Sequence, residues 1–278
     1  VFILSAPAIE HQLLTPVSGI ELVRARYQGF AFDRHVHADF HIGVVDCGAQ
    51  RFMHRGSQYL LAPGRISLIN PDEVHDGEGL NKALYQVRLL RISGAAWAQF
   101  AQQLGYAAEP YFNGPEIVDQ PLYRGLLQLH QLVNQPHGAP IAVDGLLLEL
   151  MSALIKRHGD SQRRSVAVAG GLTAWQITLL KDFLYADLAE NHRLQTLAQL
   201  FQLNEFQFLR RFRRSFGMTP HAYILALRVD YARQLLAAGK DVATAASAAG
   251  FYDQSHLHHY FKRRYNLTPA LYRRQLAG

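Results

Sequence analysis

The sequence predicts an α+β protein: an antiparallel β-barrel with helices following it, then an all-α domain built from two copies of one helical unit. Three observations carry this prediction. Short runs bounded by turn residues fill positions 20 to 95, and beyond 95 apolar residues recur three or four apart. A polar, small-residue segment, "GDSQRRSVAVAGG" at 159–171, then interrupts the helical pattern. Past it, "FLRRFRRSFGMTPHAY" at 208–223 matches "LHHYFKRRYNLTPALY" at 257–272 at a constant offset of 49 residues, which marks an internal repeat.

The strands are read in "FAFDRHVHADFHIGVVDCG", "QRFMHRGSQYLLAPG", "RISLINPDEVHDG" and "LYQVRLLRI", a rhythm that suits an antiparallel sandwich or barrel. "AAWAQFAQQLG", "PLYRGLLQLHQLV" and "PIAVDGLLLELMSALIKRH" follow as helices. These assignments divide the chain into a domain at 1–158, a linker at 159–171 and a second domain at 172–278. Leu147, Leu150, Met151, Leu154 and Ile155 form an apolar seam on the last helix of the first domain, wide enough for a partner helix in a homodimer or for closing the domain's own core.

At 278 residues with 49% hydrophobic composition, the chain can bury two cores. Its longest apolar stretch, at 141–155, is broken by Asp144 and Glu149, so no membrane span is expected. "VFILSAP" carries no basic stretch ahead of an apolar run, so no secretory leader is expected either. A lone cysteine, Cys47, excludes an internal disulfide and suits a cytoplasmic protein. Charge is unevenly placed. Residues 160–278 hold 16 Lys and Arg against 8 Asp and Glu, a net of +8, whereas residues 1–159 hold 12 against 14, a net of −2. A basic domain joined to a near-neutral one points to a polyanion for the first and a different ligand for the second.

In each repeat a short small-residue helix ("TLAQLF", "VATAASAAG") precedes a helix rich in Arg, Lys, Gln and His, the order of a helix-turn-helix, at about 196–217 and 243–266. Phe208 and Phe212, at i and i+4, give the first such helix a buried stripe, with Asn204 to cap it and Gly217 to end it. Glu205, Phe206, Leu209, Arg210, Arg213 and Arg214 are then free to meet base edges and phosphates of double-stranded DNA. In the second unit Leu257 and Phe261 go to the core, leaving Gln254, Ser255, His258, His259 and Arg263 outside. RNA is the poorer partner, because the aromatic residues of this region fall at core positions instead of forming a stacking platform.

The tail from about 175 to 275, and "GFYDQSHLHHYFKRRYNLTPALYR" above all, resembles the two-unit DNA-binding domain of the AraC/XylS transcription regulators. "LRVDYARQLLAAG" at 227–239 is similar to the helix that joins the two units there, with Arg228 and Arg233 at the family's arginine positions. His258-His259 replaces the Ser-Arg of many members, so base preference is not carried over. "HVHADFHIGVVDCGAQRF" and "APGRISLINPDEVH" resemble the family's cupin-like sensor barrel. The resemblance implies a small-molecule effector for the barrel, promoter DNA for the tail, and activation through contact with RNA polymerase.

Set against the metal-binding cupin pattern, Gly29, His35, His37, His41 and Gly48 keep the spacing, with His41 in the usual glutamate place, and Pro71 and His75 resemble the second motif. On a single strand His35, His37 and His41 share one face, Val36, Ala38, Phe40, Ile42 and Val44 form the other, and a hairpin partner brings His75 alongside. Neutral imidazoles suit zinc, nickel, copper or ferrous iron. Two readings stand side by side: a transition-metal site, or polar residues lining an organic effector's pocket. The competing class is a metal-dependent cupin enzyme fused to a DNA-binding domain, although an oxygenase has no evident use for two basic helix-turn-helix units.

Overall fold

The computed structural model of the chain describes residues 9–14, 19–107, 109–134, 140–160 and 168–277. The first part contains β1 (Ile9–Leu13), β2 (Ile20–Tyr27), β3 (Ala31–His35), β4 (Phe40–Cys47), β5 (Gln50–His54), β6 (Ser57–Leu61), β7 (Ile66–Ile69), β8 (His75–Gly79) and β9 (Tyr85–Ile92). Then come α1 (Gly94–Gln103), β10 (Tyr111–Phe112), β11 (Glu116–Ile117), α2 (Gln120–Val133), α3 (Pro140–His158) and β12 (Gly159–Asp160). One sheet runs in the order β1-β2-β9-β4-β7-β11 and another in the order β3-β8-β5-β6. Together they form the cupin-like barrel.

Alternation along the strands decides which face is covered. Ile20, Leu22, Phe40, Ile42, Val44, Leu90 and Ile92 lie in one buried core with Trp97 and Phe100 of α1, Leu122, Leu126 and Leu129 of α2, and residues of α3. Each such side chain contributes about 1.5–3 kcal/mol when fully buried, so the sheet's apolar face specifies where the helices go. Local signals start those helices: the Ser93 hydroxyl accepts from the Ala96 N–H at α1, and the Asp119 carboxylate accepts from the Leu122 N–H at α2. The opposite face carries a cross-strand row in which Glu21 is opposite Arg91 and Arg91 opposite His41. All three are buried. The Glu21 carboxylate accepts two hydrogen bonds from Arg91 at 3.2 Å and is joined by His11 of β1.

Two sequence expectations need correction. The strand expected through 35–41 is broken: β3 ends at His35, β4 starts at Phe40, and the two belong to different sheets. Val36 accordingly leaves the company of Phe40, Ile42 and Val44 and is buried in a second core with Leu180, Leu184, Phe208 and Tyr223. Of the two uses the sequence left open for the α3 seam, closing the domain's own core is the one seen: Leu147, Leu150, Met151, Leu154 and Ile155 are all buried in the core under the sheet. A partner helix has to use other residues. Gly159 and Asp160, expected to open the linker, instead form β12, paired with Phe112 and Tyr111. Most of the expected linker, 161–167, lies outside the described residues.

Contacts divide the chain into two compact units: the described residues of 1–31, 38–71 and 77–163, and those of 32–37, 72–76 and 164–278. The second unit holds α4 (Ala174–Ala186), α5 (Leu194–Gln199), α6 (Glu205–Phe216), α7 (Pro220–Ala237), α8 (Val242–Ala248), α9 (Gln254–Tyr265) and α10 (Pro269–Ala277). Pairs α5–α6 and α8–α9 are the two helix-turn-helix units, joined by α7. Arg228 on α7 ties them together, its guanidinium donating to the carbonyls of Leu188, Ala189 and Glu190 and to that of Gly250. Only glycine fits at 250: φ is +77°, and a Cβ there would meet the Ala189 Cα at 2.7 Å. Arg233 forms a buried ion pair with Asp230, whose carboxylate also accepts from the Tyr265 hydroxyl. Both family arginines are therefore structural. Among the described residues, no helix is long and apolar enough to cross a membrane.

Candidate nucleic-acid interface and histidine cluster

The two reading helices are built alike from their sequences. On α6, Phe208, Phe212 and Phe216 are buried at a spacing of four, which turns the remaining positions outward. The Asn204 side-chain Oδ1 accepts from the Gln207 N–H at 2.9 Å, and the Gln207 side chain accepts in return from the Asn204 N–H. Gly217 ends the helix in the left-handed region. On α9, Leu257, Phe261 and Tyr265 form the buried stripe, the Asp253 carboxylate caps the His256 N–H at 2.7 Å, and Asn266 terminates the helix at φ 54°.

Glu205, Phe206, Arg210, Arg213 and Arg214 of α6 are exposed, and Leu209 is half-buried. On α9, Gln254, Ser255, His258, His259 and Arg263 are all exposed. Tyr252, 93% exposed just ahead of α9, and Lys262 are exposed too, and sequence reasoning singled out neither. Tyr252 follows the buried Phe251; two adjacent aromatics give no sequence signal as to which of them faces solvent. Phe206 at 87% exposure has no packing role of its own and suits contact with a thymine methyl. Within this unit Arg263 makes an ion pair with Asp33, and Arg34 donates to the Gly217 carbonyl at 3.2 Å. Both members of the Arg263–Asp33 pair are more than half exposed, so the pair contributes little and phosphate can replace the carboxylate.

Because the strand that was to carry the histidines is broken, His35, His37 and His75 belong by contact to one unit and His41 to the other. The potential ligand atoms of His37 and His75 lie within 4.8 Å of each other. His37 and His41 are buried and His75 is half-buried. The His35 Nε2 lies 2.9 Å from the Nε2 of His75. Burial first, then the charges of Arg264 and His75, holds His35 well below the usual histidine range and keeps its ring neutral. The buried His11–Glu21–Arg91 group was missed by sequence reasoning, which began its strands at 20 and had no reason to place β1 beside β2.

A barrel with an enclosed polar face, followed by a pair of helix-turn-helix units with cationic outer faces, defines a one-component transcription regulator that couples a ligand to DNA. Models of two families match: the AraC-like ligand binding domain over residues 17–151, and a helix-turn-helix domain over 197–275. The chain is 28% identical over 245 residues, 88% of each chain, to the uncharacterized HTH-type transcriptional regulator YbfI of Bacillus subtilis. It is 26% identical over 268 residues, 91% of each, to the HTH-type transcriptional activator RhaS of Pectobacterium carotovorum. ToxT of Vibrio cholerae shares the fold, with a TM-score of 0.58 at 16% identity over 94% of this chain and all of that one. This chain belongs to the AraC family of transcriptional regulators, and it is a ligand-responsive, sequence-specific DNA-binding protein.

Proposed function

We propose that α6 and α9 enter successive major grooves of promoter DNA, with Arg210 and Arg213 reading base edges on the first and Gln254, Ser255, His258 and His259 on the second. Arg214 and Arg263 hold phosphates, Glu205 and Leu209 set the edge of the first contact, and Phe206 packs on a thymine methyl. The observation that carries this reading is the shared design of the two helices. Each buries one aromatic or aliphatic stripe and leaves its polar and cationic residues in solvent. The protein acts in the cytoplasm as an activator that touches RNA polymerase, a sign of regulation supported by its similarity to the RhaS activator. Its output is occupancy of DNA, with no turnover of the effector.

The working form is a homodimer. Because the buried α3 seam is consumed internally, the dimer uses the helix's outer side, where Ile141 is 81% and Leu148 51% exposed. Selection from a random duplex library tests the whole reading. Successive rounds should enrich two short conserved blocks, and full-length protein should bind the selected duplex at least a thousandfold tighter than random sequence. Enrichment without any conserved block would leave a non-specific polyanion binder and overturn it.

A further inference from the structure

We propose that His259 decides the base read by α9, that it donates to a guanine as an imidazolium, and that the second DNA contact therefore tightens as pH falls while the first does not. The proposal rests on the reading of α6 and α9 as base readers given above, and it names the deciding residue of α9 and its charge state. The repeat carries it. At the offset of 49, Phe208, Phe212 and Phe216 fall on Leu257, Phe261 and Tyr265, and all are buried. The N-cap Asn204 falls on the N-cap Asp253, and the left-handed C-cap Gly217 on the left-handed C-cap Asn266. With both ends and the buried stripe in register, each outward position of one helix has a counterpart on the other. Arg210 falls on His259, while Arg213 and Arg214 fall on Lys262 and Arg263. Two of the three cationic positions thus keep a permanent charge. The third holds the side chain whose charge changes between about pH 5 and 8.

Three histidines of α9 are exposed, His256, His258 and His259, and their surroundings separate them. The His256 Nδ1 accepts from the Tyr252 N–H at 3.4 Å, and its ring lies edge-on to Phe251 and Tyr260 with centroids 5.3 and 5.2 Å away. It falls on Gln207, whose side chain closes the cap of α6, so His256 holds the start of the helix. His258 falls on Leu209, a position without a cation in the first unit. Among the described residues neither His258 nor His259 forms a hydrogen bond or an ion pair. The His259 ring meets Tyr260 edge-on at 5.0 Å, which leaves both of its nitrogens for DNA.

Guanine shows two acceptors, N7 and O6, to the major groove, which is why arginine suits it. An imidazolium has two N–H donors and no acceptor, so one N–H meets guanine and the other a phosphate or water. A neutral ring keeps one N–H and loses the charge-assisted part of the contact. The charged groups around His259 leave that charge to the duplex. One turn away on α9 are Lys262 and Arg263, the latter paired with Asp33 of β3. Of the helices packed against α9, α7 brings Arg228, bound to backbone carbonyls, and Asp230 with Arg233, which pair with each other. The α8 span carries no ionisable side chain, and Asp241 at its cap is bound to Thr244. Exposed Arg273 and Arg274 come from α10. The anion that favours an imidazolium at 259 therefore arrives with the DNA. Binding takes up a proton, so the gain in affinity is complete below the histidine range and is lost as pH rises through it. Arg210 stays charged throughout, and the first contact has no such dependence.

Affinity of the full-length protein for the selected duplex is measured from about pH 5.5 to about pH 8 at constant ionic strength. The parent should weaken about 5–30-fold as pH rises across that range. His259→Arg, which makes the charge permanent, should bind as tightly at the upper pH as at the lower, within about threefold. His259→Gln should bind weakly at both, and His258→Gln should keep the dependence of the parent. These positions are exposed, so all three variants should melt as the parent does. One 7-deazaguanine, which lacks the N7 acceptor, in the segment protected by α9 should abolish the dependence, whereas under α6 it should weaken binding alike at both ends of the range. A parent affinity that changes less than about twofold would overturn the proposal, as would a dependence that persists in His259→Arg. Persistence there together with its loss in His258→Gln would place the proton on His258 instead. Each of these failures leaves two conserved blocks in the selected duplex. Failure of the base-reading role itself shows as the absence of any conserved block at either pH, and that would overturn both.

Discussion

Single residues in this protein carry more of the argument than their burial alone suggests, and His130 is the clearest case. It is 2% exposed on α2, and burial, followed by the charges of Arg88 and Arg24, pushes its pKa down to about 3. The folded ring is neutral at every pH near neutrality, whereas the unfolded chain's histidine protonates near 6.5. As pH falls below 6.5 the unfolded state takes up a proton that the folded state refuses, so stability is lost. The loss is about 1.4 kcal/mol per pH unit and runs from 6.5 down toward 3. Between pH 6.5 and 5, denaturant titrations of the parent and of His130→Leu should diverge by about 2 kcal/mol, the variant having the flatter profile. Parallel profiles would mean that the ring reaches water in the fold.

At the scale of elements, what the sequence could reveal follows the range of the interaction. Helix-turn-helix units were legible because their signals are local: the Phe208 and Phe212 stripe, the Asn204 cap, the Gly217 stop and the same pattern repeated later all hold in the structure. Sheet order was not legible. Strand alternation gives Phe40, Ile42 and Val44 one face, but it says nothing of the break at 36–39 that sends Val36 to another core. The histidines were legible in composition and not in placement, since His41 stands on β4 and His75 on β8 of the other sheet. Gly250 illustrates the same limit: its need for a bare Cα comes from Ala189, far away in sequence. Because α6 is legible residue by residue, its roles can be separated. Arg210→Ala should weaken binding to the selected duplex by about 1–3 kcal/mol and relax one base position. Arg214→Ala should weaken selected and random duplexes alike and lower the salt slope by about one. Equal losses on both duplexes for Arg210→Ala would remove its base-reading role.

For the whole molecule, the consequence of placing both reading units in one chain is a geometric one. Arg228 bridges the loop before the first unit and the turn of the second, so its guanidinium links the segments that carry α6 and α9. A rigid pair of helices that both enter major grooves from one side of the duplex must contact it about one helical turn, roughly 34 Å, apart. Hydroxyl-radical footprinting of the full chain on the selected duplex should therefore show two protected segments per chain with that spacing. Each variant should act on its own segment: Arg210→Ala fades the one under α6, and Arg263→Ala the one under α9. The second substitution also removes the ion pair with Asp33, but that pair is exposed and worth at most about 1 kcal/mol, so its loss does not mask the fading. One protected segment per chain, or a spacing that drifts between equally tight duplexes, would show that only one unit reads DNA at a time and that the Arg228 clamp does not hold the pair.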